Sequence, residues 1–338
     1  MNTIPLVSIL VTTYNQDEYI AQTLDSILMQ QCSFDYEIII GEDCSTDRTR
    51  NICLEYRDKY PDKIVLCLNE NNKGLLDNYF DVFLKCRGEF IADCGGDDYW
   101  LTSHKLQDQV DLLRKYPNVS LVASNWLMLY QKTGLLENGT SHVSEDWFKS
   151  DSYGKKAVSS YLNESIIPRV VLASSCFRKD LAFEAYHKHP ALFRSESVTC
   201  EDMPITLCLL MKGPFYFQNE TFMVYRVLEK SLSHSLTVDE YMNGFAFKTY
   251  KQVVGLALML GLQAVEIDLY IQRWAGHFAL HAFLTGNHGL FSELIRFLDE
   301  INFPLKAKHK ILRSVMFVPG LFHMTKWLYI SIKHPALT

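Results

Sequence analysis

Over the first 125 residues, apolar runs of strand length alternate with segments of helical period, and that alternation restricts the architecture more than any other feature. Leu6 to Val11 reads as a strand. Ile20, Leu24, Ile27 and Leu28 then recur at helical spacing, Glu37 to Ile40 is a β-branched run, and Asp47 to Tyr60 stops before Pro61 as a helix does. Ile64 to Leu68 reads as strand, Leu75 to Lys85 as helix and Phe90 to Ala92 as strand. Lys105 to Tyr116 follows as a helix ahead of Pro117, and Val119 to Ala123 as a strand. The pattern predicts an α/β fold with a mostly parallel sheet flanked by helices.

Ligands of such sheets bind at the carboxyl ends of the strands, so the residues just after each strand carry the functional reading. Thr12, Thr13, Tyr14 and Asn15 follow the first strand, Glu42-Asp43-Cys44-Ser45 the second, and Gly95-Gly96-Asp97-Asp98 the fourth. Adjacent carboxylates suit Mg²⁺ or Mn²⁺, which keep waters and complete their shell with substrate phosphates. Gly-Gly-Asp-Asp is equally a good surface turn in which glycine supplies positive φ, and Asp47 reads as a helix N-cap as readily as anything else. No GxGxxG follows the first strand and no GxxxxGK[ST] is present, so the usual phosphate cradles are missing. A metal held by Asp97 and Asp98 would take the diphosphate instead, with Tyr14 stacked on a base and Asp43 accepting from its imide nitrogen.

A formal net charge of −6 argues against a nucleic-acid partner and points to small-molecule chemistry. It also disfavours a polymerase-like nucleotidyltransferase, which shares Gly-Asp-Asp but needs a basic template channel. Nine cysteines without a CxxC pair read as reduced thiols. With no leader-like start and no run of about 18 apolar residues, the expectation is a cytoplasmic protein, and the four Asn-x-Ser/Thr matches carry no consequence.

Val7-Ser8-Ile9-Leu10-Val11-Thr12-Thr13-Tyr14-Asn15, Glu42-Asp43-Cys44-Ser45-Thr46-Asp47-Arg48-Thr49, and Gly96-Asp97-Asp98-Tyr99-Trp100 with Lys105-Leu106-Gln107 resemble the family 2 glycosyltransferases in order, spacing and strand-end placement. The resemblance is strong over residues 5 to 125 and weaker to 235. It implies the GT-A fold and an inverting transfer of sugar from a nucleotide-diphosphate donor, UDP first among nucleotides, with a divalent metal (Mn²⁺ or Mg²⁺). By the same resemblance Thr12, Tyr14 and Asn15 line the nucleoside pocket and Asp43 contacts the base. Asp97 and Asp98 form the metal motif, with Asp98 the direct ligand. Where the family often has an acidic residue two positions before the first aspartate, this chain has Gly95, leaving Asp93 or water to fill in. Glu201-Asp202, followed by Met203-Pro204 and an apolar run, matches the family's acidic pair, which makes Asp202 the expected base. The bland reading of Asp202 is a helix cap. Tyr225-Arg226 and Ser231-Leu232-Ser233-His234 resemble the segment closing the catalytic domain, where Arg226 would meet the leaving diphosphate and His234 the metal or phosphate. Trp100 reads as a ligand wall or as core.

The expected division is a GT-A domain over 1–235, with a nucleotide-sugar half (1–125) and an acceptor half (126–235), followed by a helical region over 236–338. Long loops are expected between Leu129 and Pro168. Helical period runs from Tyr241 to Leu262, Val265 to Leu284 and Leu290 to Leu298. After Glu300 no acidic residue occurs, while Lys306, Lys308, Lys310, Arg313, Lys326 and Lys333 alternate with apolar residues. Such a tail suits peripheral contact with an anionic membrane, and equally a helix packed on its own chain. The resemblance implies a glycan or lipid-linked acceptor in surface-polysaccharide synthesis. A catalytically silent sugar-nucleotide or glycan-binding protein is the alternative.

Overall fold

A computed structural model describes residues 4–139, 153–164, 170–194, 198–229 and 236–304. His234 and the basic tail after 304 lie outside the described residues. The chain divides into two units, Met1–Tyr161 with Ser165–Ser235, and Leu162–Glu164 with Leu236 onward.

In the first unit the expected alternation is present. Val7–Thr13 (β1), Ile20–Leu28 (α1), Tyr36–Glu42 (β2), Thr49–Lys59 (α2), Ile64–Leu68 (β3), Leu75–Phe83 (α3) and Phe90–Asp93 (β4) follow one another. β3, β2, β1 and β4 pair in that spatial order, all parallel, with Ile9 of β1 level with Ile38 of β2 and Ala92 of β4. All seven residues of β2 are buried, as expected for a central parallel strand covered on both faces.

The sheet then changes character. Tyr99–Trp100 (β5), Lys105–Lys115 (α4), Leu121–Tyr130 (β6), Leu135–Asn138 (β7), Lys155–Glu164 (α5), Cys176–Arg178 (β8), Lys179–Lys188 (α6), Asp202–Lys212 (α7) and Phe215–Val227 (β9) complete the unit. β8 runs antiparallel between β4 and β6, β9 lies parallel to β6, and β5 closes on β9 antiparallel. Of the stretch from Leu129 to Pro168, where long loops were expected, residues 129–139 and 153–164 are described. β6 runs on to Tyr130, turns at Gly134 (φ +69°) into β7, and α5 follows.

Lys105 faces inward. It is fully buried, with Nζ 2.9 Å from Gln109 Oε1, 3.4 Å from the Ser175 carbonyl and 4.2 Å from the Trp100 ring centroid. Trp100 is 1% exposed and belongs to this core, not to a ligand wall.

In the second unit, Val238–Glu240 (α8) starts under a capping box between Thr237 and Glu240, passes through a π-helical turn at Tyr241–Ala246 and continues as Phe247–Met259 (α9). Asp268–Thr285 (α10) ends at Gly286 in the left-handed region, and Asn287 caps His288–Glu300 (α11) through Leu290 N–H. Phe247, Tyr250, Phe278 and Phe297 form its aromatic centre. Among the described residues, no helix is long and apolar enough to cross a membrane.

Under the sheet, Ser8 Oγ donates to Glu37 (2.7 Å), Arg87 makes two guanidinium bonds to the same carboxylate, and Gly88 N–H donates to Ser8 Oγ (2.8 Å). A Cβ on Gly88 would lie 2.6 Å from the Ser8 nitrogen and 2.7 Å from the Val7 carbonyl carbon, which are backbone atoms without freedom to retreat. Gly88→Ala is therefore expected to lower unfolding free energy by about 1–3 kcal/mol, read as an earlier urea midpoint. An unchanged midpoint would show that β1 and β4 have slack.

Candidate functional site

The strand ends of β1, β2 and β4 open at one edge, and the chain after β4 stays paired to β1 beyond the strand itself. Cys94 N–H donates to Leu10 O and Gly96 N–H to Thr12 O, both at 3.0 Å. The chain then turns, with Asp98 N–H donating to Gly95 O at 3.0 Å. Neither Gly95 nor Gly96 has positive φ. Gly96 is required by close approach: a Cβ there would lie 2.4 Å from Gln16 Oε1 and 2.8 Å from Thr13 Cβ. At Gly95 a Cβ would lie 3.0 Å from Asp97 Oδ1 and 3.4 Å from Asp98 Oδ2, so glycine keeps open the space over which both carboxylates turn.

The two carboxylates of this turn repel. Burial pushes Asp98 well above the ordinary carboxylate range and the Asp97 charge pushes it further, while Asp97 is itself raised, first by burial. Asp98 Oδ1 accepts the backbone N–H of Arg226 at 2.9 Å, a neutral partner. Among the described residues, no cluster of three or more His, Cys, Asp or Glu side chains is arranged for a metal. Two neighbouring carboxylates, costly to ionise alone and hard in donor character, fit a cation that takes its remaining ligands from water and phosphate.

The loops after β1 and β2 are stitched together. Asn15 (φ 52°) accepts Thr46 N–H on its side-chain oxygen at 2.8 Å and donates its own N–H to Ser45 Oγ at 3.0 Å. Gln16 N–H donates to Thr49 Oγ1 at 2.7 Å. Asp47 lies one residue ahead of the α2 cap position and accepts Thr49 N–H at 2.9 Å. Tyr14 is exposed and Thr12 half-buried at the mouth of these loops. Asp43 is 2% exposed, and its carboxylate accepts Gly74 N–H (2.8 Å), Lys73 N–H (2.9 Å) and the Asn69 side chain (2.8 Å). It therefore shapes the loop after β3.

On the other flank, Glu201 and Asp202 open α7. Neither makes the side-chain cap expected of the bland reading: Glu201 occupies the cap position without a capping bond, and its Oε2 is buried without a partner. Asp202 is raised well above the usual range by burial first, then by Glu201 and Asp93. Helix N-terminal donors would pull the other way, and burial outweighs them. Asp93 accepts the Tyr79 hydroxyl at 2.7 Å and is pushed to about 7, chiefly by burial, with Glu201 adding to the rise. The half-buried Tyr225 feels both acidic pairs, its phenol raised by burial and then by Asp98, Asp97, Asp202 and Glu201.

Arg226 is 5% exposed. Its guanidinium donates to the Asp97 carbonyl and to Gln22 Oε1, and lies 4.6 Å from the Tyr99 ring centroid and 5.0 Å from that of Tyr19. Sequence reasoning missed Tyr79 and Gln22, which carry no motif. It placed Lys105 in a motif without the signal of burial, which lies in the inward stripe Lys105, Leu106, Gln109, Val110 and Leu113.

Residues 8–148 match the family model described as Glycosyl transferase family 2. Over that segment the chain is similar to the family 2 glycosyltransferases. An uncharacterised Mycobacterium tuberculosis protein is 39% identical over 124 residues, covering 37% of this chain and 36% of that protein. The Escherichia coli UDP-Glc:α-D-GlcNAc-diphosphoundecaprenol β-1,3-glucosyltransferase WfgD is 32% identical over 121 residues, 36% of this chain and 46% of that protein. The chain thus spans less than half the length of either relative. The crystal structure of S. aureus TarS 1-349 in complex with UDP-GlcNAc superposes with a TM-score of 0.60 at 16% identity, covering 87% of this chain and 80% of that one. That likeness extends the GT-A fold past the matched family segment.

Because Asp93 is raised to about 7 while an unfolded aspartate titrates near 4, the folded chain holds this proton more tightly. Its stabilising contribution is complete below about 4 and is lost as pH rises through about 7. Asp97, Asp98, Glu201 and Asp202 shift in the same direction. Metal-free urea midpoints should fall as pH rises from about 5 to about 7.5, and Asp93→Asn should flatten the slope. A midpoint that rises over this range contradicts the assignment.

Proposed function

We propose that the chain is an inverting glycosyltransferase that moves a sugar from a nucleotide-diphosphate donor, UDP-linked, to a glycan or lipid-linked acceptor in surface-polysaccharide assembly. The observation that carries this reading is the presence of two buried acidic pairs, Asp97-Asp98 in the turn after β4 and Glu201-Asp202 at the start of α7, both of which act on Tyr225 and the second of which acts on Asp93 at the end of β4. UDP-GlcNAc in the TarS complex and the diphosphoundecaprenol acceptor in the WfgD name support the donor and acceptor classes.

Asp97 and Asp98 would hold Mg²⁺ or Mn²⁺, which supplies positive charge for the diphosphate when bound. Tyr14 and Thr12 at the loop mouth, with Asn15 beside them, form the nucleoside side. Asp43 serves that side by holding the Asn69–Gly74 loop and by presenting its edge to the base. Asp202 takes the proton of the acceptor hydroxyl as that oxygen attacks the anomeric carbon from the side opposite the diphosphate. Its raised affinity for a proton makes it a stronger base than an exposed aspartate, and requires that it be ionised before transfer. The acid-free, lysine-rich segment after Glu300 supports peripheral contact with an anionic membrane.

Calorimetric titration with nucleoside diphosphates and nucleotide sugars, in Mn²⁺ and then in EDTA, tests the donor site. Asp98→Ala should abolish metal-dependent donor binding. Asp202→Asn should retain binding and lower kcat by a factor on the order of 10²–10⁴. Equal loss of binding in both variants would undo this division of roles. Co-sedimentation with phosphatidylglycerol vesicles should be strong in low salt and weak in about 0.5 M NaCl. Absence of binding in low salt would remove the membrane from the reading.

A further inference from the structure

The Asp97-Asp98 turn is held from two sides. From α1, the Thr23 hydroxyl lies 2.6 Å from the Asp98 carbonyl and 2.9 Å from the Gly96 carbonyl. From β9, Arg226 grips it twice, with its backbone N–H on Asp98 Oδ1 at 2.9 Å and its guanidinium on the Asp97 carbonyl. Both terminal nitrogens of the guanidinium are engaged. One terminal nitrogen serves Asp97, the other serves Gln22, and the rings of Tyr99 and Tyr19 lie within 5.0 Å of its central carbon. Only 5% of the residue is exposed. Moving this guanidinium onto a diphosphate would mean giving up both bonds and both ring contacts.

We infer that Arg226 is a positioning residue for the metal-binding pair: its fork locks the Asp97-Asp98 turn between α1 and β9, and it does not contact the donor's diphosphate. The inference rests on the reading of the site as a metal-dependent donor site. It departs from the expectation drawn from the Tyr225-Arg226 resemblance, in which the same guanidinium neutralises the leaving group. The two roles separate experimentally, because a positioning residue changes how the pair binds metal, whereas a phosphate ligand changes how the loaded site binds nucleotide.

The experiment uses the full chain with Arg226→Lys and Arg226→Gln, measuring Mn²⁺ affinity by electron paramagnetic resonance, UDP affinity at saturating Mn²⁺ by calorimetry, and melting temperature. Both variants should bind Mn²⁺ roughly 10–100-fold more weakly, the range for removing a group that orients metal ligands. Lysine should not rescue, because a point charge lacks the planar fork and the ring stacking. UDP affinity at saturating Mn²⁺ should stay within about threefold of the unaltered chain, under 1 kcal/mol by the affinity relation. Unchanged Mn²⁺ affinity with UDP binding about tenfold weaker would overturn the inference in favour of a phosphate contact. Unchanged values for both ligands with a lower melting temperature would overturn it in favour of a role in folding alone. Should both Arg226 variants fail to fold, Gln22→Leu and Tyr19→Leu decide on the same readout, with weaker Mn²⁺ binding expected and unaltered Mn²⁺ binding overturning it. If the unaltered chain binds neither Mn²⁺ nor UDP, the donor-site reading itself falls, and this inference with it. Normal binding there with unaltered variants overturns this inference alone.

Discussion

Like charge is the governing constraint of the first unit. Burial pushes up the carboxyls of Asp93, Asp97, Asp98, Glu201 and Asp202 alike, and neighbouring carboxylates add to the rise at Asp93, Asp98 and Asp202. A chain gains nothing in stability from gathering acids in this way, and their concentration at strand ends marks a site that its surroundings must hold together. The surroundings do so mostly with neutral groups: the Tyr79 hydroxyl on Asp93, a backbone N–H on Asp98, and the Thr23 hydroxyl against the carbonyls of the turn. Two cationic side chains approach, and each is itself confined, Lys105 beneath the site against Trp100 and Arg226 beside it against Tyr19 and Tyr99.

The parallel half of the sheet was legible because each of its strands is a short apolar run separated by a helix with its own period, and Pro61 and Pro117 mark where helices stop. Of the antiparallel half only the start of β6 was legible, as the run Val119 to Ala123. β8 has three residues, too few for any pattern, and β5 has two. Their existence depends on partners far away in the chain, which local sequence does not encode. Between Leu129 and Pro168, Gly134 marks a hairpin turn into β7, a pairing that its polar composition hid.

Among the site residues, identity was easier to read than orientation. The acidic pairs stood out as residue types in place, but nothing in the letters tells which way a side chain turns. Asp43 and Asn15 were read as ligand contacts and are seen bonding neighbouring loops. The surface-turn alternative for Gly95-Gly96 supposed positive φ, whereas the constraint at Gly96 is the nearness of Thr13 and Gln16. Lys105 was the hardest, since lysine is rarely inside a fold and its interior position is visible only once Gln109 and Ser175 are seen to receive its ammonium.

The strand pairing has a consequence for the order of assembly. β5, the two residues directly after Asp98, pairs with β9 alone among the described strands, and β9 is drawn from residues 215–227. During synthesis the parallel strands β1 to β4 can collapse as soon as they emerge, but the segment following the metal pair waits for more than a hundred further residues before its partner exists. Closure of that long loop is the slow kind of step, and it is the same step that brings Arg226 to Asp97 and Asp98. Completion of the proposed donor site is thereby tied to completion of the first unit, and a half-made chain presents folded strands without that site.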